Sequence, residues 1–181
     1  MGKMFNIKNS VSWCRMETTA TSRTGDVLAL DNIRSAHNVG SIFRTADAAG
    51  MAHIYLIGTT PAPIDRFGRP QSDIAKTALG AEHSVSWTAY ETVEEFITAM
   101  QEAGREIVAL EQDARGVDYR ELPPASTQSR VFVVGNEVEG VSKKILDGTT
   151  TIVYIPMHGE KESLNVSVAT GVLLFSLLRN H

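Results

Sequence analysis

The sequence predicts an α/β fold, a mainly parallel β-sheet with helices on both faces. Short apolar runs alternate along the chain with stretches of helical periodicity, which is typical of strand–helix–strand units. The runs are rich in Val, Ile and Leu and lack polar–apolar alternation, as expected for parallel strands covered on both faces. They occupy residues 26–31, 53–58, 106–111, 130–135 and 151–155, and a weaker candidate occupies 84–88.

The helical segments between these runs have recognisable boundaries. Thr92 and Glu95 form a capping box, and Gly104 is placed to end the helix that they begin. A second helix covers 39–49, where the apolar residues share one face. At about 100° per residue, Arg44 then points almost opposite that face. We therefore expect Arg44 to be free for solvent, a substrate or another subunit.

The last predicted helix, 163–179, is apolar nearly all round. Such a helix is buried on two sides, and we expect one side to face the core and the other a partner protomer. Two long loops, 59–70 and 112–129, interrupt the alternation, and loops of this length are often functional. Ligands of open α/β sheets bind at the carboxyl ends of the strands, where these loops begin.

The length of 181 residues predicts one domain, 26–181, after a basic arm, 1–25. The arm holds four basic residues and one acidic residue, so it is either a phosphate contact or a solvated terminus. The whole chain has a net charge of −4 and a pI of about 5.7. This balance argues against a protein that coats nucleic acid non-specifically.

The sequence also predicts a cytoplasmic protein without a membrane segment. The N-terminus has no apolar stretch of the secretory type, and the most apolar segment, 166–178, is shorter than the ~20 residues of a membrane span. Cys14 is the only cysteine, so no disulfide framework exists.

Three segments that follow predicted strands carry the candidate chemistry. In 32–50, Asn38 and Gly40 open a helix. The start of this helix is either an anion-binding site or an ordinary capped terminus. In 135–140, Glu137 lies in a tight glycine-bounded turn, where it can orient a ligand, pair with an arginine or stabilise a helix terminus.

The third segment, 155–169, leads from a strand into the last helix. Ser163 is expected to cap that helix, and Asn165 in its first turn indicates a specific hydrogen bond because Asn is a poor helix former. No metal site is expected, since the five histidines and Cys14 lack metal-ligand spacing. Dinucleotide, nucleoside-triphosphate and serine-hydrolase fingerprints are missing from the sequence.

Together and in this order, the three segments resemble the SpoU (TrmH-like) branch of the SPOUT RNA methyltransferases. The resemblance covers residues 26–179. The family motifs are Asn-x-Gly…Arg-x-Ala-Asp…Gly, Gly-x-Glu-x-x-Gly and Ile-Pro-Met-x-Gly…Ser-Leu-Asn-Val-Ser-x-Ala. They match Asn38, Gly40, Arg44, Ala46, Asp47 and Gly50, then Gly135, Glu137 and Gly140, and finally 155–169.

The resemblance implies a SPOUT fold with a deep C-terminal trefoil knot, which general rules of topology would not predict. It implies an enzyme that methylates a ribose 2′-hydroxyl of tRNA or rRNA, with S-adenosylmethionine bound in the knot, and a homodimer. By position, the cofactor-binding residues are Leu110, Glu111, Gly135, Ile155, Met157, Ser163 and Leu164.

The resemblance places Arg44 at the centre of catalysis. The family's usual proposal makes it the base that an RNA phosphate activates. A guanidinium is a very poor base, so an alternative is that Arg44 binds the phosphate and stabilises the developing alkoxide. The residues expected to position Arg44, the ribose and the loop are Asn38, Glu137, Ser163 and Asn165.

Many relatives carry an added RNA-recognition domain, whereas this chain has a short basic arm. RNA recognition is then expected on the dimer surface, through Arg34, Arg44, Arg66, Arg69 and Lys76, although such residues are also common surface charges. Two rival hypotheses stay open at this point. One is a catalytically silent protein of the same fold that binds RNA or cofactor, and the other is a different α/β enzyme that acts on a small nucleotide.

Overall fold

The computed structural model describes residues 25–122 and 128–178, so nearly all of the predicted basic arm lies outside the described residues. Seven strands form one sheet in the order β3-β2-β1-β6-β4-β7-β5, and every pairing is parallel. The strands are β1 (Val27–Asp31), β2 (His53–Ile57), β3 (Ser86–Tyr90), β4 (Glu106–Leu110), β5 (Val117–Asp118), β6 (Arg130–Val134) and β7 (Thr151–Tyr154).

The described residues also form six helices and one short 3₁₀ turn. The helices are α1 (Ala36–Ala49), α2 (Ser72–Ala78), α3 (Ala81–Ser84), α4 (Val93–Glu102), α5 (Lys143–Gly148) and α6 (Val166–Leu177). The 3₁₀ turn covers Tyr119–Glu121 and follows β5. The predicted α/β class with a parallel sheet is confirmed, whereas the deep knot stays a prediction.

Helices cover both faces of the sheet because alternate strand residues point to opposite sides. In β1, Leu28 and Leu30 face one core, into which α1, α2 and α6 pack. Val27 and Ala29 face the other core, which α4 and α5 complete. β1 is buried along its whole length, which explains its continuous apolar sequence.

Local hydrogen bonds decide where the helices begin. The capping box of Thr92 and Glu95 is confirmed at the start of α4. The expectation that Ser163 caps the last helix is wrong, because α6 begins at Val166 and the side chain of Asn165 accepts from the Ser167 amide at 2.9 Å. The interpretation of Asn38 as a cap is also wrong, since Ser35 caps α1.

The predicted loops contain more structure than expected. The segment 59–70 includes an antiparallel bridge between Ile64 and Pro70, and β5 lies within 112–129, where it pairs with β7. A short helix, α5, follows the glycine-bounded turn that contains Glu137. The helices described within residues 25–122 and 128–178 include none that could span a bilayer.

Candidate cofactor and active site

A cavity of about 270 Å³ opens at the carboxyl ends of the central strands. Because the strands are parallel, the residues that follow β4, β6 and β7 meet at one edge of the sheet. The structure brings all seven predicted cofactor residues to the wall of this cavity. The lining residues used below are Leu110, Glu111, Gly135, Glu137, Ile155, Met157, Glu162, Ser163 and Leu164.

The cavity wall combines apolar side chains with negative charge. Leu110, Ile155 and Leu164 provide apolar surface, and carboxylates come from Glu111, Glu137 and Glu162. Among the described residues that line the cavity, none is Lys, Arg or His. The wall therefore favours a ligand that has an apolar body and a positive group, and it disfavours a phosphate-bearing ligand.

The loop 135–141 folds back tightly on itself beside the cavity. Two backbone hydrogen bonds join Asn136 and Gly140, at 3.0 and 2.9 Å. A side chain at position 135 would overlap the backbone of Gly140 and Val141, so only glycine fits there. Gly140 has a positive φ of 69°, and a side chain there would overlap the carboxylate of Glu111.

Polar side chains from the neighbouring strand ends hold this loop. The Glu111 carboxylate accepts from the Val141 amide at 2.7 Å, and the fully buried Asp31 accepts from the Ser142 amide at 2.7 Å. The Asn136 side chain is nearly buried and donates to the backbone oxygen of Asn32 at 2.8 Å. These bonds fix the position of Glu137 relative to the sheet.

Three of the predicted catalytic residues form one hydrogen-bonded cluster. Asn38 donates through Nδ2 to Glu137 Oε1 at 2.6 Å, and Asn165 donates through Nδ2 to Asn38 Oδ1 at 3.2 Å. The cluster joins three elements that are distant in sequence: α1, the loop after β6 and the first residue before α6. Glu137 is also part of the cavity wall, so the cluster borders the cavity.

The other two predicted catalytic residues lie apart from this cluster. Ser163 is exposed and lines the cavity. Arg44 is on the exposed face of α1, as predicted, six residues beyond Asn38 or about 9 Å along the helix axis. Within the described part of the chain, the Arg44 guanidinium has no carboxylate or hydrogen-bond partner, and it remains available to an anion.

The predicted RNA-binding cations are all exposed, and most are paired. Arg34 lies 3.7 Å from Glu139, Arg69 lies 2.8 Å from Asp65, and Lys76 lies 2.8 Å from Asp73. The hydrogen bond and charge of Lys76 lower the pKa of Asp73. Exposed pairs of this kind exchange partners at little cost, so they do not prevent phosphate binding.

Sequence reasoning did not identify Asp31, Asn136 and Glu162 as parts of the site. Asp31 is a charged residue at the end of an apolar strand. A charge in such a buried position is the sequence signal that could have identified it. Asn136 and Glu162 lie within or beside the recognised motifs, but the spacing does not reveal their partners. No metal-binding cluster of three His, Cys, Asp or Glu residues occurs among residues 25–122 and 128–178.

Comparison with known sequences places these residues in a family. Residues 26–175 match the model of the SpoU rRNA Methylase family. A tRNA (guanosine(18)-2′-O)-methyltransferase of Aquifex aeolicus is 32% identical over 170 residues, which are 91% of this chain and 74% of that protein. A 23S rRNA (guanosine-2′-O-)-methyltransferase of Ralstonia nicotianae is 35% identical over 84% of this chain, and the match spans 58% of that relative.

Solved structures agree with the sequence comparison. An AdoMet-bound rRNA methyltransferase from Sinorhizobium meliloti superimposes with a TM-score of 0.77 and 32% identity, over 88% of this chain and 58% of that one. The A. aeolicus TrmH/SpoU tRNA modifying enzyme gives a TM-score of 0.73 and 30% identity, over 87% of this chain and 76% of that one. The sequence motifs, the fold and these matches show that the chain belongs to the SpoU rRNA methylase family.

Proposed function

We propose that this chain methylates a ribose 2′-hydroxyl of tRNA or rRNA with S-adenosylmethionine as the methyl donor. One observation carries the proposal: the cavity at the carboxyl edge of the sheet adjoins the bonded cluster of Asn38, Glu137 and Asn165. A donor site and a set of polar positioning groups are therefore side by side. The names of the Aquifex and Ralstonia relatives point to the same acceptor, a guanosine 2′-oxygen.

The cavity suits S-adenosylmethionine by its chemistry. This cofactor supplies an electrophilic methyl group on a positively charged sulfur, and it also has a positive amino group and an aromatic base. Glu111, Glu137 and Glu162 favour the positive groups, while Leu110 and Leu164 provide apolar surface for the base. Backbone groups of Gly135, Ile155 and Met157, with Ser163, are available for its polar atoms.

Methyl transfer would form a bond between the ribose 2′-oxygen and the methyl carbon, break the sulfur–carbon bond, and release the hydroxyl proton to solvent water. We propose that Arg44 binds an RNA phosphate and stabilises negative charge on the 2′-oxygen. A guanidinium stays protonated in proteins, so this role fits its chemistry better than that of a base. Asn38, Glu137 and Asn165 would hold the ribose in line with the methyl group, with Ser163 at the cavity wall.

RNA is proposed to bind across the carboxyl edge of the sheet, through the exposed side chains of Arg34, Arg66, Arg69 and Lys76. Their exposure supports this placement, as does the Arg44 guanidinium, which has no partner among the described residues. We propose that the basic arm adds phosphate contacts. We also propose that the protein acts in the cytoplasm, because the proposed substrate is cytoplasmic RNA.

We also propose that the protein acts as a homodimer through α6. Val168 and Phe175 on this helix are 52% and 47% exposed, and Leu164 just before it is 40% exposed. Val168 and Phe175 are seven residues apart, so they lie on the same face of α6. Leu164, which precedes the helix, also lines the cavity, so a second copy packed on this end of α6 would border the cofactor site.

The test is methyl transfer to RNA that lacks modifications, followed by digestion to nucleosides and mass spectrometry. The wild type is expected to produce a 2′-O-methylated nucleoside, and an Arg44→Ala variant is expected to lose this product while it still binds cofactor. A wild type that binds cofactor but labels neither tRNA nor rRNA would favour the silent binding protein. A methyl group on a base would contradict the role of Arg44.

A further inference from the structure

Phe67 is an aromatic side chain that the fold leaves uncovered. It is 66% exposed, although a side chain of this kind usually contributes most when buried. The guanidinium carbons of Arg66 and Arg69 lie 4.8 and 5.0 Å from the centre of its ring. These are cation–π distances, so an exposed aromatic surface is combined with two positive groups.

The turn that carries Phe67 is fixed by Asp65. One carboxylate oxygen of Asp65 accepts from the amides of Phe67 at 2.8 Å and Arg69 at 2.9 Å, and the other accepts from the Arg69 side chain at 2.8 Å. The Arg69 amide and side chain accordingly lower the pKa of Asp65. The backbone that carries the ring is therefore fixed before any ligand binds, which lowers the entropic cost of binding.

The turn also lies on the same edge of the sheet as the cofactor cavity. It follows the carboxyl end of β2, and β2 is two strands from β6, or about 10 Å at the usual strand spacing. The next element, α2, is joined to α1 through Thr77, whose hydroxyl donates to the backbone oxygen of His37 at 3.0 Å. His37 precedes Asn38, so the turn and the candidate catalytic cluster belong to one packed unit.

We infer that Phe67, together with Arg66 and Arg69, is a stacking platform for an unpaired nucleobase of the RNA substrate. Every base has a flat apolar face that stacks on an aromatic ring, and the neighbouring arginines can bind the adjoining phosphates. Bases inside a duplex are already stacked on each other and cannot reach the ring. The inference rests on the proposed function and adds to it that the substrate is single-stranded beside the modified nucleotide.

The test compares a fluorescently labelled RNA hairpin that has an unpaired loop with a fully paired duplex of the same stem. Binding of both to the full chain is measured by fluorescence anisotropy for the wild type, Phe67→Ala and Phe67→Trp. Leu79→Ala is the matched control, because Leu79 is also 66% exposed. Circular dichroism checks that each variant is folded, which we expect because both residues are exposed.

Phe67→Ala is expected to weaken binding of the hairpin about 5- to 150-fold, as for the loss of one stacked base, and to leave duplex binding unchanged. Phe67→Trp should retain the wild-type affinity, and so should Leu79→Ala. The salt dependence should be unchanged in Phe67→Ala, since no phosphate contact is lost, and it should become less steep in Arg66→Ala. In methyl transfer, Phe67→Ala should raise the KM for RNA and leave kcat unchanged at saturating RNA.

Equal affinity of wild type and Phe67→Ala for the hairpin would overturn the inference, and so would the same loss for hairpin and duplex. Binding of an acidic peptide, but not of the hairpin, through Phe67 would assign the turn to a protein partner and overturn it too. A different result would contradict the proposed function alone. If hairpin binding depends on Phe67 but no RNA is methylated, the stacking role of Phe67 is supported and the enzymatic activity is not.

Discussion

Alanine at position 140 should destabilise the protein well beyond the usual cost of replacing a glycine. Gly140 has a φ of +69°, and a non-glycine residue in this region costs about 1–2 kcal/mol. The new side chain would also displace the Glu111 carboxylate, which accepts from Val141 at 2.7 Å and Gln112 at 2.8 Å. The loss of one such bond costs about 1.5–3 kcal/mol, so the expected total for Gly140→Ala is about 2.5–5 kcal/mol.

Gly50 provides a matched control for the backbone strain. Its φ is +71°, and a side chain there would meet nothing within 4 Å. Gly50→Ala should therefore cost only about 1–2 kcal/mol in the free energy of unfolding, measured with urea. In a Glu111→Ala background, Gly140→Ala should cost the same small amount, because the carboxylate that it displaces is already removed.

Two results would refute this reasoning. An equal decrease in the free energy of unfolding for Gly140→Ala and Gly50→Ala would show that Glu111 does not hold the loop. An undiminished loss in the Glu111→Ala background would show that the added side chain collides with something else.

Three further predictions concern other parts of the fold. Asp31→Ala should lower the free energy of unfolding by about 2–4 kcal/mol and weaken cofactor binding, because it leaves the Ser142 amide unpaired. Unchanged cofactor affinity by calorimetry would contradict the role of Asp31. Burial, and secondarily the charge of Arg105, lowers the pKa of His53 to about 4. Between pH 6.5 and 4 the unfolded chain therefore binds a proton at His53 that the folded chain does not. The free energy of unfolding should fall by up to about 3 kcal/mol as the pH drops over this range. Urea unfolding of His53→Gln should lack this part of the pH dependence, and an identical pH profile would refute the assignment. Val168→Asp should convert a dimer to a monomer in sedimentation equilibrium, whereas a wild-type monomer would contradict the proposed interface.

Most of the sheet could be predicted from local sequence. β1 and β6 are buried on both faces, so their apolar runs are continuous and the predicted bounds agree with the structure within one residue. β5 could not be predicted, because it has only two residues, Val117 is 39% exposed, and the strand exists through its pairing with β7. Pairing between distant residues leaves no periodic pattern in a two-residue segment.

The sequence predicted which residues form the site, but not which hydrogen bonds join them. The motifs identified Asn38, Glu137 and Asn165, yet the bonds that join them link residues about a hundred positions apart. Asp31 and Asn136 likewise find partners more than a hundred residues away. The predicted start of α6 is wrong because Ser163 and Asn165 are both favoured cap residues, and the hydrogen bond from the Ser167 amide selects Asn165.

The central claim is that the acceptor atom is a ribose 2′-oxygen held beside the cavity. Once the modified nucleotide has been mapped, the most direct test is to replace that nucleotide alone with its 2′-deoxy form and to measure methyl transfer and RNA binding. The account predicts that transfer is abolished while the affinity for RNA changes little. Continued methylation of the 2′-deoxy substrate at that nucleotide would contradict it.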